Sequence, residues 1–193
     1  MKTISVTQTA TEKFAPDTTV FEVKLVSESK KHAEAVKLLH DKTEAVAQAL
    51  AGIRLEKGEL TSSGAAVSSM RRDGKISFCG RAEMKITLPV ADERIGEVIE
   101  ALEKSGAEWT QSYILADNSH KTALVQKAVK EAREVASSIA TASGVKLGAL
   151  SNASYASQYG GGVRMLRAAS VADIAEPEQI EAAETVTCEW EIL

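Results

Sequence analysis

Aromatic side chains are scarce in this sequence, at 4% of 193 residues. A core must therefore be assembled mainly from Val, Ile, Leu and Ala. Cysteine is scarcer still. Cys79 and Cys188 are the only two, which excludes a disulfide framework. Proline occurs three times and histidine three times, and His32, His40 and His120 are scattered. No His-x-His, Cys-x-x-Cys or His-Glu-x-x-His spacing exists to gather a metal, so neither a metal nor another cofactor is expected. No Gly-x-Ser-x-Gly is present, which removes support for hydrolase chemistry of that kind. No apolar run approaches the ~20 residues needed to cross a bilayer as a helix. Basic runs are missing too, and the formal net charge is −4, a poor match to nucleic acid. The first residues, Met1 to Val6, enter an alternating pattern directly, without the basic start and apolar block of a leader. The expectation is a soluble cytoplasmic protein, or an exported, periplasmic one whose leader has been removed.

What is present is ordinary globular material: 44% hydrophobic and 26% charged residues, enough for a real core. Segment 2–9 alternates, with Ile4 and Val6 on one face. Pro16-Asp17 marks a turn. In 18–27, Phe21, Val23 and Leu25 share a face, as the period of two requires. Residues 30–51 change period: Val36, Leu39, Thr43, Val46 and Leu50 form a helical stripe, with Ser29 as N-cap and Gly52 as the left-handed residue beyond the end. Strands 59–70 and 75–88 flank Asp73-Gly74, a hairpin signal. The second strand alternates cleanly. Ile76, Phe78, Gly80, Ala82, Met84, Ile86 and Leu88 lie on one face, and Lys75, Ser77, Cys79, Arg81, Glu83, Lys85 and Thr87 on the other. One buried and one polar face point to antiparallel sheet.

Pro89 ends that strand. Asp92 can cap a short helix carrying Ile95, Val98, Ile99 and Leu102, ended by Gly106. A strand follows at 108–116. Asp117 or Asn118 caps a long helix to about 143, with Val125, Val129, Ala132, Ala136 and Ile139 as its stripe and Gly144 closing it. Strands are expected at 147–157 and 183–192, the last burying Val186, Cys188, Trp190 and Ile192. Between them, 158–176 is expected to be a flexible loop around Gly160-Gly161-Gly162. The order is ββαββαβαββ, an α+β fold of antiparallel sheets with helices packed on one face.

These pieces resemble the SIMPL domain family, which includes periplasmic immunogenic proteins of bacteria. The resemblance rests on Pro16-Asp17, Gly52-Ile53, Thr61 and Gly106-Ala107. It rests further on Ala123-Leu124, Ala128-Val129, Ala132, Ala136, Ala140, Gly144 and Leu147-Gly148, and on Pro177 to Trp190. It covers nearly the whole chain. Where the family usually shows Gly-Tyr in the fourth strand, this chain reads Cys79-Gly80-Arg81-Ala82. The resemblance implies a single domain over 1–193 with two intertwined lobes. Some relatives form large rings, and some are linked to oxidative or envelope stress. It carries over no catalytic residues.

Candidate chemistry is sparse. Cys79 falls on the polar face with Arg81 as its nearest same-side neighbour, and a nearby cation lowers a thiol pKa. A redox role stands against the plainer reading of a half-exposed strand cysteine without one. Cys188 reads as a small buried hydrophobe. Gly160, Gly161 and Gly162 with Arg164 and Arg167 could wrap an anion, but lack a phosphate-loop ending and read more simply as a loop or assembly contact. Glu176, Glu178, Glu181 and Glu184 read as solvating a terminal segment. The function expected is a non-enzymatic, self-associating interaction protein forming a homo-oligomer. The alternatives are thiol-dependent protection through Cys79 and small-ligand binding between the lobes.

Overall fold

The computed structural model describes residues 2–72, 75–156, 164–166 and 179–193. They form β1 (Thr3–Phe14), β2 (Thr18–Ser29), α1 (His32–Leu50), β3 (Leu60–Ser62), β4 (Ala66–Arg72), β5 (Lys75–Pro89), α2 (Ile95–Ser105), β6 (Glu108–Ile114), α3 (Ser119–Ala142), β7 (Leu147–Ala156), β8 (Arg164–Leu166) and β9 (Ile180–Ile192). The fold is α+β. Two details differ from the order expected above. The strand expected at 59–70 is split into β3 and β4, with Gly64 in the break. Part of the expected loop, 164–166, pairs with β6 as a short strand.

The chain divides into two compact units built from interleaved segments. One comprises Met1–Pro16, Ile114–Val163 and Glu176–Leu193. The other comprises Asp17–Tyr113 and Arg164–Ala175.

In the first unit, the strand order is β1-β9-β7. β1 and β9 pair antiparallel over Thr3↔Glu191 to Phe14↔Ile180 without a register shift. Alternation puts Ile4, Val6, Ala10, Val186, Cys188 and Trp190 on the buried face. α3 covers that face with Leu124, Ala128, Ala132, Ala136 and Ala140. This stripe departs from the expected one. Ala132 and Ala136 are shared, but Val125 and Val129 flank it and Ile139 is exposed. The reason is size. An alanine row lets the helix backbone approach the sheet, and β-branched residues fit only beside the line of contact. Gly144, with φ 71°, ends the helix.

In the second unit, the strand order is β3-β5-β2-β6-β8, with β4 also paired to β5. β4 and β5 pair antiparallel from Ala66↔Arg81 to Arg72↔Lys75; the expected turn at Asp73-Gly74 lies outside the described residues. α1 and α2 cover one face. Phe21, Val23 and Leu25 of β2 and Met84, Ile86 and Leu88 of β5 pack against Leu39, Val46 and Leu50 of α1 and Val98 and Leu102 of α2. Trp109 closes on Phe21, ring centroids 5.9 Å apart.

The start of α1 shows why Ala35 is buried and Val36 is exposed. A Cβ on Gly80 would collide with Ser27 Oγ and crowd Leu39, and Ser27 Oγ donates to Ala35 O at 2.7 Å. Only small residues fit this crossing. Ser29 does not N-cap the helix. It is the last residue of β2, and its Oγ accepts the Lys31 N–H and donates to Glu34. Nor is Gly52 left-handed, because Ala51 ends α1 in right-handed geometry. Gly106 does fill that role for α2, with φ 65°.

Two stability predictions follow from the packing. Ala132→Leu forces extra methylenes under α3 and should cost about 1–3 kcal/mol in urea unfolding. An unchanged midpoint would refute the close-contact reading. Thr19 Oγ1 is fully buried without a hydrogen-bond partner. Thr19→Val, which keeps the shape and removes that group, should raise stability by about 1 kcal/mol, and a loss would show that the hydroxyl is satisfied.

Candidate functional site

Cys79 lies in the middle of β5, on the face that alternation assigned to it, but only 5% of it is exposed. The expectation of half exposure is corrected. β5 is flanked on both sides, with Glu28 of β2 and Ser68 of β4 directly opposite Cys79, and the Cys79 thiol donates to Gly80 O. Arg81 is two residues on and exposed. Cys188 is fully buried beneath α3, and desolvation pushes its thiol pKa up. The two cysteines lie in different units.

Gly160, Gly161, Gly162 and Arg167 lie outside the described residues. Arg164 is in β8, opposite Tyr113. Glu176 and Glu178 also lie outside them. Glu181 is exposed, but Glu184 is not a solvating residue. It is 4% exposed, and its Oε2 accepts from the Tyr155 hydroxyl at 2.8 Å. It faces α3 because even-numbered positions of β9 do.

The three histidines sit apart. His32 meets Phe78 edge-on, ring centroids 5.5 Å apart. His120 lies against Phe14, and His40 lies near Glu44 on the exposed side of α1. Among the described residues, no three His, Cys, Asp or Glu side chains cluster as metal ligands would.

The densest polar cluster escaped the sequence reading. Arg94 donates to both carboxylate oxygens of Glu59, at 2.7 and 2.8 Å. It donates to both of Asp92, at 2.7 and 2.9 Å, and to Arg54 O. Glu59 in turn accepts the Glu56 N–H at 2.7 Å. All five guanidinium donors have a use, which fixes the 54–59 loop to the start of α2. Asp92 caps that helix indirectly, accepting the Arg94 N–H at 2.9 Å. Nothing here is left free to act on a substrate. It is a clasp.

A groove of the second unit, about 420 Å³, runs past Lys24, Val26, Leu38, Asp41, Lys42 and Glu108. Lys42 is engaged there with Val26 O at 2.6 Å. Two acids and two bases line it, so it favours neither sign of ligand.

Edges and faces are more distinctive. On the first unit, the face away from α3 presents Thr3, Ser5, Thr7, Thr9 and Thr11 of β1 beside Thr185 and Thr187 of β9. Thr7 and Thr187 hydroxyls bond at 2.9 Å, and Thr9 and Thr185 at 2.8 Å. Among the described strands, β7 and β1 are the sheet's two edges. β7 carries register shifts around Leu150. β1 has none over its 12 residues.

The clasp predicts a pH dependence. Hydrogen bonds from the Arg94 side chain, then from its backbone N–H, lower the Asp92 pKa from 3.8 to about 2. The folded pKa is depressed, so the stabilisation is complete above about pH 4 and is lost as pH falls through 2. Glu59 is shifted the same way, also by Arg94. Asp92→Asn should be less stable than the wild type above pH 4, with the difference closing between pH 4 and 2 in urea titrations. A difference independent of pH would sink the assignment.

No curated protein matches the chain. A family model does, over residues 4–190, and is described as SIMPL, protein of unknown function (DUF541). That match spans both units and all but the outermost residues, so the chain belongs to the SIMPL family.

Proposed function

We propose that this protein is a self-associating interaction module that works through its surfaces. The observation that supports this reading is the asymmetry of the three-stranded sheet. Edge strands invite pairing with other chains, and proteins blunt them with bulges, proline, lysine or short length. β7 is blunted by register shifts. β1 is long and regular, contains neither proline nor glycine, and carries its only charged side chains at its last turnward end, Glu12 and Lys13. Along its outer edge it pairs with no described strand.

Thiol-dependent protection has weaker support, because burial of Cys79 closes off the solvent path that a reactive thiolate needs.

Light scattering on a sizing column tests the proposal. A discrete mass at a multiple of 20.5 kDa, held over a wide concentration range, is expected. A monomer at every concentration would overturn it.

A further inference from the structure

We infer that the β1 edge pairs with β1 of a second copy about a two-fold axis, so that the two α3 helices pack side by side over one continuous sheet. This rests on the self-association reading above and specifies its surface and symmetry.

The first argument is the edge itself. An antiparallel β1–β1 contact uses the same strand from both partners, as a closed two-fold dimer requires. Its period of two keeps odd-numbered residues of both copies on one face. The paired threonine rows, Thr7 with Thr187 and Thr9 with Thr185, then continue from one copy into the next. All even-numbered residues, with α3 above them, fall on the opposite face in both copies.

The second argument is independent and comes from α3. Its flank above β1 is identified by two contacts: Glu131 accepts from Gln8 at 3.1 Å, and Lys127 pairs with Glu12 at 3.6 Å. Four-residue steps from Lys127 and Glu131 reach Val135 and Ile139 on that same flank. These are large apolar side chains, 41% and 42% exposed. The opposite flank holds Val125 and Val129, which are partly buried against the unit's own core. The helix therefore leaves apolar surface open on the side of the unguarded edge.

The third argument is distance. α3 packs about equally on β1 and β9 and only slightly on β7, so its axis lies over the space between β1 and β9. Strands are about 4.8 Å apart. Across a β1–β1 junction the two α3 axes then stand two strand spacings apart, about 10 Å, which is the ordinary packing distance of two helices. Because Glu131 lies over Gln8 and Lys127 over Glu12, Val135 and Ile139 lie over the first half of β1, and the apolar flanks of two copies meet when the two-fold axis passes near Ser5.

Two variants test this on the full chain, with Thr187→Lys as a control on the same face but on the central strand. Ser5→Lys with Thr7→Lys places like charges across the junction. Val135→Glu with Ile139→Glu charges the helix flank. All the substituted side chains are surface groups, and circular dichroism and thermal melting check folding. Each double variant should lower the wild-type mass by a factor of about two or more in light scattering, while the control keeps it. If the wild type associates and either folded double variant retains its mass, this interface is wrong and the self-association reading stands. A monomeric wild type removes both.

Discussion

The first unit depends on the pairing of β1 with β9. These strands come from the two ends of the chain, and their twelve pairs run without a break from Thr3↔Glu191 to Phe14↔Ile180. Loop closure over such a separation costs entropy that must be offset by contacts formed together. α3 supplies them. Its row of Leu124 and four alanines lies in close contact with the alternating apolar positions of both strands. With few aromatic residues to fill space, the unit gains its burial from close approach instead of large side chains. The same economy appears in the second unit, where Gly80, Ser27 and Ala35 let α1 settle on β2 and β5.

Much of this architecture is legible in the sequence, and the parts that are not share a cause. Strand faces could be read because alternation is local. The buried positions Ala82, Met84, Ile86 and Leu88 of β5 are those that the pattern assigns. Gly106 and Gly144 could be read as helix ends because their place after an apolar stripe is a local signal. The helix stripes were displaced by one position, from Val36 to Ala35 and from Val125 and Val129 to Leu124 and Ala128. Hydropathy favours the larger residue, whereas close packing on a sheet favours the smaller, and only the partner surface decides between them.

The site-level differences have the same origin. Alternation put Cys79 on a polar face, but polarity of a face is not exposure. A strand paired on both sides shelters a short side chain among longer ones. Glu184 read as a solvated acid because its neighbours in sequence are acids. Its burial follows from its even position on β9 and from Tyr155, 29 residues away. The Glu59, Asp92 and Arg94 clasp joins residues 35 apart, and no motif announces it. Each of these depends on a contact made by the fold, beyond what a window of sequence can hold.

One-sided burial explains why surfaces, and not a pocket, carry the functional argument. Among the described residues, each sheet packs its helices on one face, which leaves the opposite face and the outer strands for other contacts. Where solvent is the partner, the chain shows the usual devices: opposite charges paired across strands, as Glu22 with Lys85 and Lys24 with Glu83, and a broken register in β7. β1 shows neither device along most of its length, and the apolar flank of α3 stands above it. A sheet that protects one edge and keeps the other regular has an asymmetry that stability alone does not require. The same twelve residues that close the first unit with one edge pair with no described strand along the other, so the proposed assembly would build directly on the pairing on which the unit depends.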